Sequence, residues 1–138
     1  MSGDDLEHVE TRLRAFFEAR EDLAAVYLFG SVARGEARPK SDVDIALLFA
    51  HDPPRTLESL PVDVEDELTR LLGRPVQVVV LNHTSADLVH RVLCDGKLVS
   101  EHDPAARVRF EVRRRNEYFD LLPILRRYRR AHRSPTQP

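Results

Sequence analysis

The sequence predicts a small mixed β-sheet flanked by helices, in the α/β (α+β) class. Three observations carry that prediction. Apolar runs of strand length alternate with stretches whose apolar residues recur at helical spacing. The 138 residues are 42 % apolar, which suits one domain with a real core. Turn and cap residues (Gly30, the His51–Arg55 cluster, Gly73, Pro104) punctuate the runs.

Each element follows in order. Residues 5–20 place Leu6, Val9, Leu13, Phe16 and Phe17 on one side of an amphipathic helix. "AAVYLF" reads as a strand, ended by Gly30, and "SVARGEARPK" as a loop that opens with a short helix. "DVDIALLF" is a second strand, after which "HDPPR" breaks the chain. A helix over roughly 55–72 aligns Leu57, Leu60, Val64, Leu68 and Leu71, with Pro61 at a helix start or kink and Gly73 as C-cap. Valine-rich "PVQVVVL" is a third strand. "TSADLVHRVLCDG" is a short helix N-capped by Thr84 or Ser85, and "KLVS" a short fourth strand. Pro104 suits the first turn of a long helix running into the 120s, with a kink expected at Pro123. Residues 1–130 are thus expected to form a single domain whose C-terminal helix, about 104–130, docks a partner, with 131–138 a flexible tail. The spacing leaves the strand order open.

The net charge of −2 hides an uneven distribution. Residues 1–104 carry 11 basic and 20 acidic side chains, net −9, whereas residues 105–138 carry 10 and 3, net +7. The basic end suggests a partner surface, weighed against a merely solvated helix face. "EYFDLLPILRRYRR" adds Tyr118, Phe119, Leu121, Leu122, Ile124, Leu125 and Tyr128, more apolar area than one helix face holds. It must dock on its own core or on a partner. No apolar run is long enough to span a membrane, and "MSGDDLEHVE" carries no apolar signal segment. With Cys94 the single cysteine, a cytoplasmic location is expected, and Cys94 itself is expected to be a small core residue. The six histidines show no paired metal spacing.

The chemistry concentrates between residues 27 and 49. Gly30 and Ser31 sit where a strand turns toward a short helix, a place where backbone approaches a phosphate closely. Strand alternation puts Asp42 and Asp44 on one face, about 6–7 Å apart at Cα, with Val43 and Ile45 turned into the core. Two carboxylates so placed suit Mg²⁺, which binds one or two carboxylates together with substrate phosphates. Arg34, Arg38 and Lys40 line the connecting loop, and Ser41 adds a hydroxyl beside the aspartates. Together these describe a nucleoside triphosphate pocket.

Gly30-Ser31, ten residues, then Asp42-x-Asp44 resembles the G-S-x10-D-x-D signature of the DNA polymerase β-like nucleotidyltransferases. The wording "GSVARGEARPKSDVDIALL" and the later "RPVQVVVLN…HRVLCDGKLV" resemble the minimal nucleotidyltransferase (MNT) branch, over about residues 20–125. The resemblance implies a polymerase β-like fold and an antitoxin paired, as a hetero-oligomer, with a HEPN-family ribonuclease toxin. It implies transfer of AMP from ATP to a toxin tyrosine with Mg²⁺, and contact with nucleic acid only through the toxin. By resemblance Gly30 and Ser31 hold the triphosphate, Asp42 and Asp44 ligate Mg²⁺ and serve catalysis, and Arg34 contacts phosphate.

The sequence departs from that pattern at one place. A third acid usually stands on the next core strand of transferring members, and here the matching position is Gln77, with Val80 also apolar. A neutral amide is neither a charged ligand nor a base, so its presence should spare nucleotide–Mg²⁺ binding more than transfer. Asp63, Glu65 and Asp66 on the preceding helix read as a solvated acidic face rather than as substitutes. A non-enzymatic antitoxin acting by occlusion is the alternative expectation. A small-molecule nucleotidyltransferase of the aminoglycoside type is a third, weakened because no acceptor-binding domain is visible. The Arg126/Arg127-to-His132 spacing of HEPN ribonucleases sits in a terminal arginine run and carries little.

Overall fold

A computed structural model describes residues 3–36, 41–53 and 61–131. The order is α1 (Gly3–Phe17), β1 (Leu23–Phe29), α2 (Gly30–Ala33), β2 (Val43–Phe49), α3 (Val62–Leu72), β3 (Val76–Val80), a 3₁₀ turn (Leu81–His83), α4 (Ala86–Asp95), β4 (Lys97–Glu101) and α5 (Pro104–Ala131). The strands form one mixed sheet in the order β3-β2-β1-β4. β1 pairs antiparallel with both β2 and β4, while β2 and β3 run parallel. A parallel pair needs a crossover, and α3 lies in the segment that supplies it.

Helices cover both faces of the sheet. Val9, Leu13 and Phe17 of α1 and Leu68 of α3 pack on one face against Val26, Leu28, Val43, Ile45 and Leu47. Val89 and Val92 of α4 and Ala106 and Phe110 of α5 pack on the other, against Ala25, Tyr27, Ala46 and Leu48. This explains why β1 reads as a continuous apolar run: it is central and buried on both faces.

The caps fall where local chemistry placed them. Gly73 ends α3 in the left-handed region, φ 68°, and its N–H donates to the Thr69 carbonyl. Ser85, rather than Thr84, caps α4, accepting from the Leu88 N–H at 3.4 Å. Asp103 Oδ1 accepts from the Ala106 N–H at 3.0 Å at the head of α5, with Pro104 in its first turn.

Three expectations need correction or narrowing. Cys94 is exposed, not in the core. The buried stripe of α4 runs through Val89 and Val92, and Cys94 lies off it, its Sγ 3.4 Å from His90 Nε2 one turn earlier. On α3 the inward stripe is Val64, Leu68 and Leu72, four residues apart, so Leu71 is exposed. The third concerns the apolar C-terminal stretch. α5 docks on the core through Ala106 and Phe110, while Phe119, Ile124 and Tyr128 further along are more than half exposed. α5 continues through Pro123 to Ala131. Leu57, Leu60, His132 and the tail beyond Ala131 lie outside the described residues.

Candidate functional site

The register of β1 against β2 assembles the site. Phe29, the last residue of β1, is the Cα partner of Asp44, so Gly30 arrives beside the Asp44 side chain. Gly30 has φ 77°, a region that disfavours residues with a Cβ, and a Cβ added there would overlap the Asp44 carboxylate oxygen. Both the positive φ and the nearby Asp44 side chain thus favour glycine at 30. Ser31 follows in the first turn of α2, half-buried, its carbonyl accepting from the Glu36 N–H at 2.9 Å.

Asp44 stands on the face of β2 that carries Ala46 and Leu48, while Val43, Ile45 and Leu47 enter the opposite cluster; Asp42 lies just before β2. Asp42 is exposed and Asp44 half-buried. Burial pushes the Asp44 carboxyl above its ordinary pKa, the charge of Asp42 adds to the push, and Arg34 opposes both. Arg34 is exposed at the end of α2 and is ion-paired to Glu36 at 3.1 Å. Among the described residues neither aspartate has a salt-bridge partner. A half-buried carboxylate beside a second one offers hard oxygen donors of the kind that divalent cations take. Among the described residues no group of three His, Cys, Asp or Glu side chains converges on a metal-sized site, so the acidic centre is a pair.

At the position where the resemblance implies a third acid, the structure places an amide opposite Asp44. Gln77 is the Cα partner of Asp44 across the parallel β2–β3 pair. Its Nε2 donates to Asp42 Oδ2 at 3.4 Å. Of the acids on α3, Asp63 and Asp66 are exposed, as expected. Glu65 is half-buried and its Oε1 accepts from the Val78 N–H at 3.0 Å, so it satisfies the edge of β3 rather than serving the pair. Ser41 is half-buried, and its carbonyl accepts from Arg74 Nε at 3.0 Å. Arg38 and Lys40 lie outside the described residues.

Sequence reasoning missed Arg74, a cation that is 6 % exposed. Its partner Asp5 is 69 residues away, and no spacing rule joins them. It also missed Tyr27, whose hydroxyl donates to Glu111 Oε1 at 2.5 Å and ties β1 to α5. Burial and that bond raise the Tyr27 pKa, keeping the phenol protonated.

Residues 11–105 match the model of the family described as Polymerase beta, Nucleotidyltransferase. The chain belongs to this family. It is 30 % identical, over 90 residues, to the protein adenylyltransferase MntA of Thermococcus cleftensis, covering 65 % of this chain and 88 % of that one. The chain is also similar to a chain in a crystal structure of a toxin–antitoxin with AMP-PNP. That match has a TM-score of 0.68 and 26 % identity, and covers 88 % of this chain and 93 % of that chain. A chain from the complex of a tri-AMPylated Shewanella oneidensis HEPN toxin with its MNT antitoxin matches with a TM-score of 0.62. The match covers 89 % of this chain and 98 % of that chain, and at 20 % identity the likeness is one of fold. The fold is therefore polymerase β-like, as the motif implied, and no described helix is long and apolar enough to cross a membrane.

Proposed function

We propose that this chain is an MntA-like antitoxin that neutralises a HEPN-family toxin by transferring AMP from ATP to a toxin tyrosine. The observation that carries the reading is the junction of Gly30 with Asp44: a backbone turn without a side chain meets a half-buried carboxylate with Asp42 beside it. Gly30 and Ser31 would seat the triphosphate, Asp42 and Asp44 would hold Mg²⁺, and Arg34 and Ser41 would line the approach. Bound there, Mg²⁺ would supply charge neutralisation to the phosphates. The Thermococcus relative is named a protein adenylyltransferase, and the toxin–antitoxin structure contains an ATP analogue. Both support the nucleotide and the reaction class. The tri-AMPylated toxin of the Shewanella complex has the product chemistry this reading requires. The distal part of α5, with exposed Phe119 and Ile124 among arginines, is the proposed docking surface.

A second reading rests on Gln77. A neutral amide bonded to Asp42 leaves the pair without a third charge. The chain then binds nucleotide and Mg²⁺ but silences the toxin by occlusion alone.

One experiment separates the two. The chain and its toxin are incubated with labelled ATP and Mg²⁺, and toxin peptides are read by mass spectrometry. AMP on a toxin tyrosine, lost in the Asp42→Asn/Asp44→Asn double variant, is the expected result. No label with the toxin still inhibited selects occlusion, and label appearing in Gln77→Asp would then locate the deficit at that position. Label that persists in the double variant rejects the site.

A further inference from the structure

Arg74 is the one charged side chain among the described residues that is buried, and its surroundings are specific. It follows Gly73 in the turn between α3 and β3. Its Nε donates to the Ser41 carbonyl at 3.0 Å, and its Nη1 reaches both Asp5 oxygens, at 3.0 and 3.3 Å. The next residue, Pro75, accepts through its carbonyl from the Val43 N–H at 2.9 Å. Ser41 and Val43 are the two neighbours of Asp42. The 74–75 turn therefore grips the backbone on both sides of Asp42, while Gln77, two residues further on, reaches the Asp42 carboxylate itself.

A buried guanidinium is costly to desolvate unless it is paired and its donors are used. A turn between a helix and a strand has no need of one for its own geometry: Gly73 already closes α3, and Val76 already enters the sheet. Arginine differs from lysine in presenting a rigid fork that holds two acceptors at a fixed spacing. Here one arm holds the carbonyl in front of Asp42 and another holds the first turn of α1. Without Arg74 the Ser41 carbonyl, two residues before β2 begins, would lose this side-chain donor.

We infer that Arg74 is a positioning residue for the metal site: through the Ser41 carbonyl, and anchored by Asp5, it holds Asp42 beside Asp44, where both carboxylates would serve a divalent cation. The inference rests on the reading of Asp42 and Asp44 as cation ligands. In this role Arg74 acts on the backbone before Asp42, through Ser41, rather than as a cation ligand. Side chains that orient metal ligands typically change metal affinity by about 10–100-fold when replaced.

The test measures Mn²⁺ binding to the full chain by electron paramagnetic resonance, beside metal-free thermal unfolding. Arg74→Lys keeps the charge near Asp5 but loses the fork, and is expected to weaken Mn²⁺ binding about tenfold. Leu68→Ala, a core change on the same side of the sheet, is expected to lower the melting temperature at least as much while leaving Mn²⁺ affinity within about twofold. Arg74→Lys that is folded and binds Mn²⁺ like the wild type overturns the inference. So does a Leu68→Ala loss of Mn²⁺ affinity equal to that of Arg74→Lys, since the effect would then follow stability alone. If Arg74→Lys does not fold, Asp5→Asn takes its place: weaker Mn²⁺ binding supports the inference, and unchanged binding rejects it. Asp42→Asn separates the two layers. Mn²⁺ binding that survives it removes the metal-site reading, whatever Arg74 does.

Discussion

Asp44 is the residue on which the site is most finely balanced. Burial and the charge of Asp42 both favour its neutral form, so the folded chain holds that proton more tightly than the unfolded chain does. The resulting contribution to stability is complete below the ordinary carboxylate range and is lost as pH rises through the elevated folded pKa. Asp44→Asn removes the penalty. In EDTA the variant should melt above the wild type at neutral pH, with the gap closing as pH falls toward about 3. Mg²⁺ should narrow the gap from the other side by stabilising only the wild type. A variant that melts lower at neutral pH would show that the carboxylate is comfortable without a cation. The sequence made this residue legible because the motif spacing and strand alternation both pointed to it. Gln77 was legible only through the family pattern; its register opposite Asp44 was not, because spacing left the strand order open. Arg74 was not, because its meaning lies in a contact with Asp5 and a carbonyl, and neither leaves a periodic trace.

Among the elements, α5 divides into two parts with different roles. Its first two turns contribute Ala106 and Phe110 to the core, and Glu111 accepts from the buried Tyr27 hydroxyl. Arg107 braces this end through ion pairs to Glu101 and Glu111. Further along, Tyr118 stacks on His90 of α4, ring centroids 3.7 Å apart, and no residue from there to Ala131 is fully buried. Truncation after Leu122 is therefore expected to leave the melting temperature nearly unchanged while weakening the toxin complex. Phe110→Ala should do the reverse, costing roughly 3–5 kcal/mol of stability. Equal affinity of truncated and full chains, in a binding titration, would reject docking through the distal part. Most element boundaries were readable from caps: Gly73, Ser85 and Pro104 act through local backbone chemistry that tertiary packing did not override. Cys94 and Leu71 were misread because composition favours burial for both, whereas burial is decided by the phase of the helix. A shift of one residue turns a side chain by about 100°, and only the packed partner fixes that phase.

At the level of the whole molecule, the sheet separates two hydrophobic clusters, and the site and its brace lie on opposite sides of it. Asp44 and Gln77 stand on the face of the sheet that α4 and α5 cover, whereas Asp5 belongs to α1 in the other layer. Arg74 passes between them. Occupancy of the acidic pair should therefore be registered in the N-terminal helix through Arg74 and Asp5. Amide hydrogen exchange offers a direct view of this. With Mn²⁺ and a non-hydrolysable ATP analogue bound, the first turns of α1 should exchange more slowly than in the free chain. In Arg74→Lys that remote protection should vanish even at saturating ligand. The buried arginine would then act as a mechanical link that makes the order of a terminal helix depend on a cation bound across the sheet.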